Sequence, residues 1–176
     1  MSTKDLSLLR PGHFSGRWLS PLGKIVLASD GQSIVGLWFE GQKYFGSTLS
    51  DVAVEDEMRP EFEATRRWLS EYFSGRRSAG IPAIRLVGTE FQQRVWRELL
   101  ALEWGTTTTY GRLAASLGSS PRAVGGAVGR NPISLIIPCH RVLGSASLTG
   151  YAAGIDIKRT LLDMESSGNC AFPQDE

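Results

Sequence analysis

TYGRLAASLGSSPRAVGGAVGRNP, residues 109–132, is the stretch that decides the fold. Thr109 is placed to cap a short helix running through Leu117, and Gly118 supplies its stop. Ser120 caps the next helix, with Pro121 at the first helical position, where its missing donor costs nothing. Asn131-Pro132 then breaks it. Two short helices joined by a three-residue turn containing glycine outline a helix-turn-helix. The second helix, Arg122-Ala123-Val124-Gly125-Gly126-Ala127-Val128-Gly129-Arg130, has almost no side chain long enough to reach base edges. Gly125 and Gly126 inside it cost about 1 kcal/mol each relative to alanine. Two explanations stand: the glycines let another helix pack closely, or they let the backbone press against DNA with Arg122 as its one probe.

Downstream, an apolar run from Ile133 to Ile137, with Ser134 inside it, reads as a short buried segment. It delivers Pro138-Cys139-His140-Arg141-Val142 to a fixed place. Pro138 fixes φ, so the cysteine leaves the run at a defined angle. A thiol reacts as thiolate, and the imidazole of His140 is the neighbour that would hold it ionised. The competing assignment for a lone cysteine is an inert buried hydrophobe.

Upstream, residues 14–40 read as strands and tight turns. Ser20-Pro21-Leu22-Gly23 is a turn leading into a strand at Lys24–Ser29, and Asp30-Gly31 turns that strand into Ile34–Phe39. The result is a small antiparallel meander. Residues 41–60 are polar, and the acidic residues Asp51, Glu55, Asp56 and Glu57 are expected in a solvated loop. Glu61 to Phe73 has apolar residues at helical spacing, with Gly75 as the stop. Ile84–Val87 is expected to be a further strand that closes an amino-terminal domain near residue 87. Thr89 and Gln92 form a capping box that opens a helix with Val95, Trp96 and Leu99 on one side. That helix is expected to end at Trp104-Gly105.

The chain has 176 residues, room for one ordinary core or a small domain beside a second compact one. A formal charge of +1 excludes a global basic field, so any DNA binding rests on a local patch. Two cysteines, Cys139 and Cys170, are no disulfide framework and fit a reducing compartment. No apolar run approaches a membrane span and the amino terminus has no signal-peptide core, so the expected location is cytoplasmic, with no membrane partner.

With these residues placed, the sequence resembles the O6-alkylguanine-DNA alkyltransferases from Phe91 to about Glu165. The shared motifs are Val95-Trp96, Thr109-Tyr110-Gly111, Ser120 through Gly125, Asn131-Pro132, Pro138 through Val142, and Gly150-Tyr151 leading to Lys158 and Leu161-Leu162. The resemblance implies an α+β fold. Residues 1–87 would form a small antiparallel sheet with a helix (ribonuclease H-like), and residues 88–176 a mostly helical winged helix-turn-helix domain. It implies repair of O6-alkylguanine, and of O4-alkylthymine, in double-stranded DNA entered through the minor groove. The damaged base is flipped out, and its alkyl group moves once and irreversibly to Cys139.

The resemblance also implies the roles. His140 would be the base, acting through a bound water, with Glu165 orienting it and Asn131 bracing the cysteine segment. Glu165 lies on a last helix capped by Asp156 and is otherwise an ordinary surface carboxylate; Asn131 is otherwise a helix C-cap. Tyr110 would press a phosphate aside and hydrogen-bond the guanine, and Arg122 would fill the gap left in the duplex. Ser120, Ala123, Gly125, Gly126 and Ala127 would face DNA, while Val128, Val142, Tyr151 and Ala152 would line the guanine pocket. The expected state is a monomer without cofactor. With only His13 and no cysteine in the amino-terminal half, no metal is expected.

Two departures stand beside that pocket: a loop after Val142 one residue short around Ala146, and Ala152-Ala153-Gly154 where a Gly-Gly pair is common. The alternative function is a non-catalytic, lesion-sensing relative, but such proteins carry tryptophan at the cysteine position, and Cys139 argues against it.

Overall fold

Ser20 closes the first turn with its own side chain, donating to Gly23 O at 2.6 Å and accepting from Leu22 N at 3.1 Å. In the computed structural model, which describes residues 13–49, 53–145, 147–148 and 150–167, this turn joins β1 (Phe14–Ser20) to β2 (Gly23–Ser29). Asp30 Oδ1 accepts from Gln32 N and Ser33 N, turning β2 into β3 (Ile34–Phe39). Both pairings are antiparallel.

The sheet has a fourth member that the polar sequence of residues 41–60 conceals. β4 (Val54–Glu55) pairs parallel with the start of β1, giving the order β3-β2-β1-β4. The acidic stretch is therefore not simply a solvated loop. Glu55 pairs with Arg17, and Glu57 accepts from Arg17 N and pairs with Arg66. Asp51 lies outside the described residues.

α1 (Pro60–Phe73) covers one face of this sheet, burying Phe62, Leu69, Tyr72 and Phe73. The expected strand at Ile84–Val87 reduces to one bridge. Ile34 N donates to Ala83 O and Arg85 N to Ile34 O, and the ladder extends no further.

The capping box forms as expected: Thr89 Oγ1 accepts from Gln92 N and Gln92 Oε1 from Thr89 N. It opens α2 (Glu90–Leu100), which ends at Leu100 rather than at Trp104-Gly105. Ala101 caps it, its N–H donating to Leu99 O, and further on Trp104 Nε1 donates to Glu165 O at 3.1 Å. α3 (Tyr110–Leu117) and α4 (Pro121–Gly129) carry the caps anticipated at Thr109 and Ser120, and Gly118 takes the left-handed φ of 59° that ends α3. Trp96 on α2 is buried and donates to Ala127 O at 2.9 Å, tying α2 to α4.

Two short strands, β5 (Thr108–Thr109) and β6 (Val142–Leu143), pair in parallel and set the residues after the cysteine beside the start of α3. α5 (Ile155–Ser167) closes the chain. Asp156 is not its cap: it lies in the first turn, exposed, and pairs with Arg159.

Candidate active site

The segment between α4 and the cysteine is sewn to the sheet edge. Leu37 N donates to Pro132 O and Ser134 N to Leu37 O, each at 2.8 Å. Ile133 through Ile137 are buried, as the apolar run anticipates. Leu135 adopts a φ of 70°, and the chain then turns through Pro138 into a single 3-10 turn, Cys139–Arg141.

Asn131 organises this turn from inside. Its Nδ2 donates to Ile137 O at 2.8 Å and to Cys139 Sγ at 3.1 Å, while its Oδ1 accepts from Ile133 N at 2.9 Å. It is therefore more than a helix C-cap. One amide fixes where the apolar segment starts, where it ends, and where the sulfur sits.

His140 is fully buried, and its Nε2 lies 2.7 Å from Glu165 Oε1. Glu165 is no surface carboxylate. It is 4 % exposed and accepts from Tyr72 Oη at 2.7 Å and from the Nε of Arg141 at 2.8 Å. Burial alone would raise its pKa, but the hydrogen bonds and charges of His140 and Arg141 outweigh that and hold the carboxyl far below the usual range. A carboxylate can only accept, so His140 Nε2 carries the proton and Nδ1 keeps its lone pair. Burial pushes the imidazole pKa down against the pull of Glu165. Nδ1 is buried and has no hydrogen-bond partner among the described residues. The result is a neutral base with its free nitrogen fixed by the other.

The sulfur differs from the sequence expectation. Cys139 is 4 % exposed, and burial pushes its thiol pKa up, although Asn131 and the Lys158 ammonium pull it down. Burial thus works against the ionised form that the Cys-His neighbourhood favours. Reaction then requires the proton to leave as the nucleophile attacks, and the neighbouring base supplies the means.

Cys139 opens onto a cavity of about 420 Å³ walled by Tyr110, Gly125, Gly126, Val128, Asn131, Tyr151 and Ala152. A larger cavity, about 570 Å³, lies behind Arg141 among Trp68, Tyr72 and Trp104, and Cys139 is not among its walls. Val128, Tyr151 and Ala152, expected at the pocket, line this cavity. Val142 does not: it is fully buried in the core, and its carbonyl accepts from Lys158 Nζ at 2.6 Å. On α4, Arg122 and Ala123 are exposed and Gly125 and Gly126 half-exposed, whereas Ala127 turns its methyl into the core and offers no outward surface. Ser120 is exposed, but its hydroxyl is occupied by Ala123 N.

The two explanations for the α4 glycines now separate. A Cβ on Gly125 would come no closer than 3.8 Å to Tyr110, one on Gly126 would meet only Arg130 at 3.7 Å, and one on Gly129 would meet nothing. No neighbouring helix requires these glycines. Their smoothness serves the outer face.

Four contributors were not assigned from sequence. Lys43 and Tyr44, from the turn after β3, line the cavity from the other half of the chain. Tyr72 reads as core, and Arg141 as a bystander of the motif. Only the third-residue neighbourhood of the cysteine hinted at Arg141. Cys170 and Ala146 lie outside the described residues; beside Ala146, Gly144 N donates to Ser147 O at 3.0 Å.

Comparison with known proteins matches the profile of the 6-O-methylguanine DNA methyltransferase DNA binding domain to residues 90–167, and that of the ribonuclease-like domain of the same family to residues 18–79. A methylated-DNA–protein-cysteine methyltransferase of Haemophilus influenzae is 42% identical over 151 residues, covering 83% of this chain and 82% of its own. That of Metallosphaera sedula is 40% identical over 154 residues, covering 86% and 92%. The crystal structure of Mycobacterium tuberculosis OGT in complex with DNA superposes with a TM-score of 0.82 at 38% identity, covering 90% of this chain and 96% of the other.

Proposed function

The chain belongs to the 6-O-methylguanine DNA methyltransferase family, DNA repair proteins that take the alkyl group onto a cysteine of their own, and we propose that here the acceptor is Cys139. The observation that carries this is a sulfur facing a cavity flanked by α4, next to an imidazole whose Nε2 is committed to Glu165. O6 of guanine is inaccessible within the stack, so the nucleotide is extruded into this cavity at a cost of a few kcal/mol.

The chemistry then follows from the site. The thiol proton passes, through a bound water, to the Nδ1 lone pair of His140 as sulfur attacks the alkyl carbon. An S–C bond forms, the C–O6 bond breaks, and its electron pair stays on the guanine. The base regains one hydrogen, so the thiol hydrogen has been exchanged for the alkyl group. Tyr110, whose pKa burial raises, remains a neutral phenol able to donate to the departing base. The Tyr151 hydroxyl is buried without a partner among the described residues, which makes it a second donor to the base. Asn131 positions the sulfur and Glu165 positions the imidazole. A thioether is not exchanged by thiols as a disulfide is, so each molecule acts once.

α4 enters DNA from the minor groove. A reader with so little side chain suits a groove poor in sequence information and a protein that inspects every guanine. Arg122, exposed in the first turn of α4, fills the space of the extruded nucleotide. Residues 1–87 form the supporting half and 88–176 the half that binds DNA and accepts the alkyl group. The protein works as a cytoplasmic monomer, without cofactor. No helix among the described residues is long and apolar enough to cross a membrane.

Intact mass after incubation with a duplex containing O6-methylguanine tests the assignment. A single methyl, mapped to Cys139, is expected. Cys139→Ala should gain none yet keep its affinity for the duplex, and Arg122→Ala should transfer more slowly. Methylation at Cys170, or tight binding with no gain in mass, overturns the assignment.

A further inference from the structure

Lys43 Nζ and the Arg130 guanidinium both lie over the ring of Tyr44, 5.0 and 5.1 Å from its centroid. The two cations are thus no more than about 10 Å apart, within reach of one another at physiological ionic strength. Both are exposed, and neither forms a salt bridge with a carboxylate among the described residues. Arg130 makes only a long bond from its guanidinium to Gly126 O, 3.4 Å. Two positive charges gathered on one aromatic ring and left without a counter-charge favour an anion beside them.

Their position says which anion. Lys43 and Tyr44 wall the same cavity as Cys139, and Arg130 caps α4, the helix on its other flank. The turn that carries them is fixed to the cavity wall, since Lys43 N donates to Ala152 O at 3.0 Å. Tyr44 has a φ of 60°, a left-handed backbone uncommon for a bulky residue and a mark of a position held for use. A nucleotide whose base reaches Cys139 brings its own phosphodiester to the mouth of this cavity.

We propose that Lys43 and Arg130, gathered on Tyr44, hold the phosphodiester of the extruded nucleotide, so that the amino-terminal half is part of the DNA site. This rests on Cys139 being the acceptor.

The test compares the parent with Lys43→Gln, Arg130→Gln and Lys43→Arg. Binding to a duplex containing O6-methylguanine is measured as a function of salt in a Cys139→Ala background, which cannot react, and alkyl transfer is measured from duplex O6-methylguanine and from O6-methylguanine as the free base. Each glutamine variant should reduce the slope of log affinity against log salt by about 1 and weaken binding to all sequences alike. Its transfer from duplex should fall at least five times more than its transfer from the free base, which carries no phosphate. Lys43→Arg should keep the parental slope. Parental slopes in both glutamine variants, or equal losses with duplex and free base, overturn the proposal. Circular dichroism of each variant reports whether the fold is intact. If the parent itself gains no alkyl group from duplex, it is the acceptor assignment that fails; the salt slopes still decide the phosphate contact.

Discussion

Glu165 Oε1 stands 2.7 Å from His140 Nε2, and that one contact decides which imidazole nitrogen is free to take a proton. Because the carboxylate cannot donate, the tautomer is set before any substrate arrives. Burial favours the neutral form of both His140 and Cys139.

The rate of alkyl transfer should reflect this as a plateau. With His140 depressed below its ordinary value and Cys139 raised above its own, the rate climbs on the acid side as His140 loses its proton. It then stays level until the thiol itself ionises. Single-turnover rates across the pH range check this. A rate that keeps rising through neutrality up to the thiol pKa would mean that a preformed thiolate attacks unaided.

Replacing Glu165 by Gln should cost about 3–5 kcal/mol of stability, because Arg141 is left as a buried charge without its partner. The pH dependence has a definite sign. The folded pKa of Glu165 lies below its unfolded value, so its contribution is complete above the ordinary carboxylate range and is lost as pH falls through the folded pKa. His140 also has a depressed folded pKa. The unfolded chain therefore binds its proton first, and stability begins to fall below the ordinary histidine range. Denaturant melts at several pH values should show both slopes in the parent and only the histidine slope clearly in Glu165→Gln.

Asn131→Ala should separate position from chemistry. It strands Ile133 N, leaves the Ile137 carbonyl with Cys139 N as its one donor, and releases Cys139 Sγ from the Asn131 amide. Each buried polar group left unpaired costs about 1–3 kcal/mol. Transfer should slow far more than the stability loss alone explains, and Asn131→Asp, which keeps the acceptor for Ile133 N but sets an oxygen against the Ile137 carbonyl and the sulfur, should recover neither the fold nor the rate. Full activity in Asn131→Ala would remove this residue from the site.

Alanine at Gly125 or Gly126 should stabilise the folded protein by up to about 1 kcal/mol, since the fold has room for the methyl and alanine favours the helix. The same variants should bind duplex more weakly, because the added Cβ stands on the face of α4 proposed to meet DNA. Thermal melts and duplex titrations make a paired measurement. A gain in stability with unchanged binding would mean that this face is not the one used.

Much of this was legible locally. Thr89 with Gln92, Thr109, Ser120 with Pro121, and Gly118 act within a few residues of themselves, and each formed the cap or stop it promises. What stayed hidden is long-range. Val54–Glu55 has no strand pattern of its own and pairs because β1 offers a free edge. Val142 is next to the motif in sequence, yet its side chain points to the core. Tyr72 spaces like any core aromatic, and nothing local says that its hydroxyl meets a carboxylate 93 residues away. The influences on the thiol are likewise half-hidden: the sequence shows the neighbouring histidine but not the burial that opposes ionisation.

Leu37, on the outermost strand of the first half, brackets Pro132 and Ser134 with its two backbone bonds. The sulfur's address is thereby written partly in a sheet that never approaches the bond being broken. A break in the polypeptide near residue 88 would leave one fragment owning the nucleophile and the other owning the rail it runs along. Competence to react is a property of their union, and neither piece could inherit it alone.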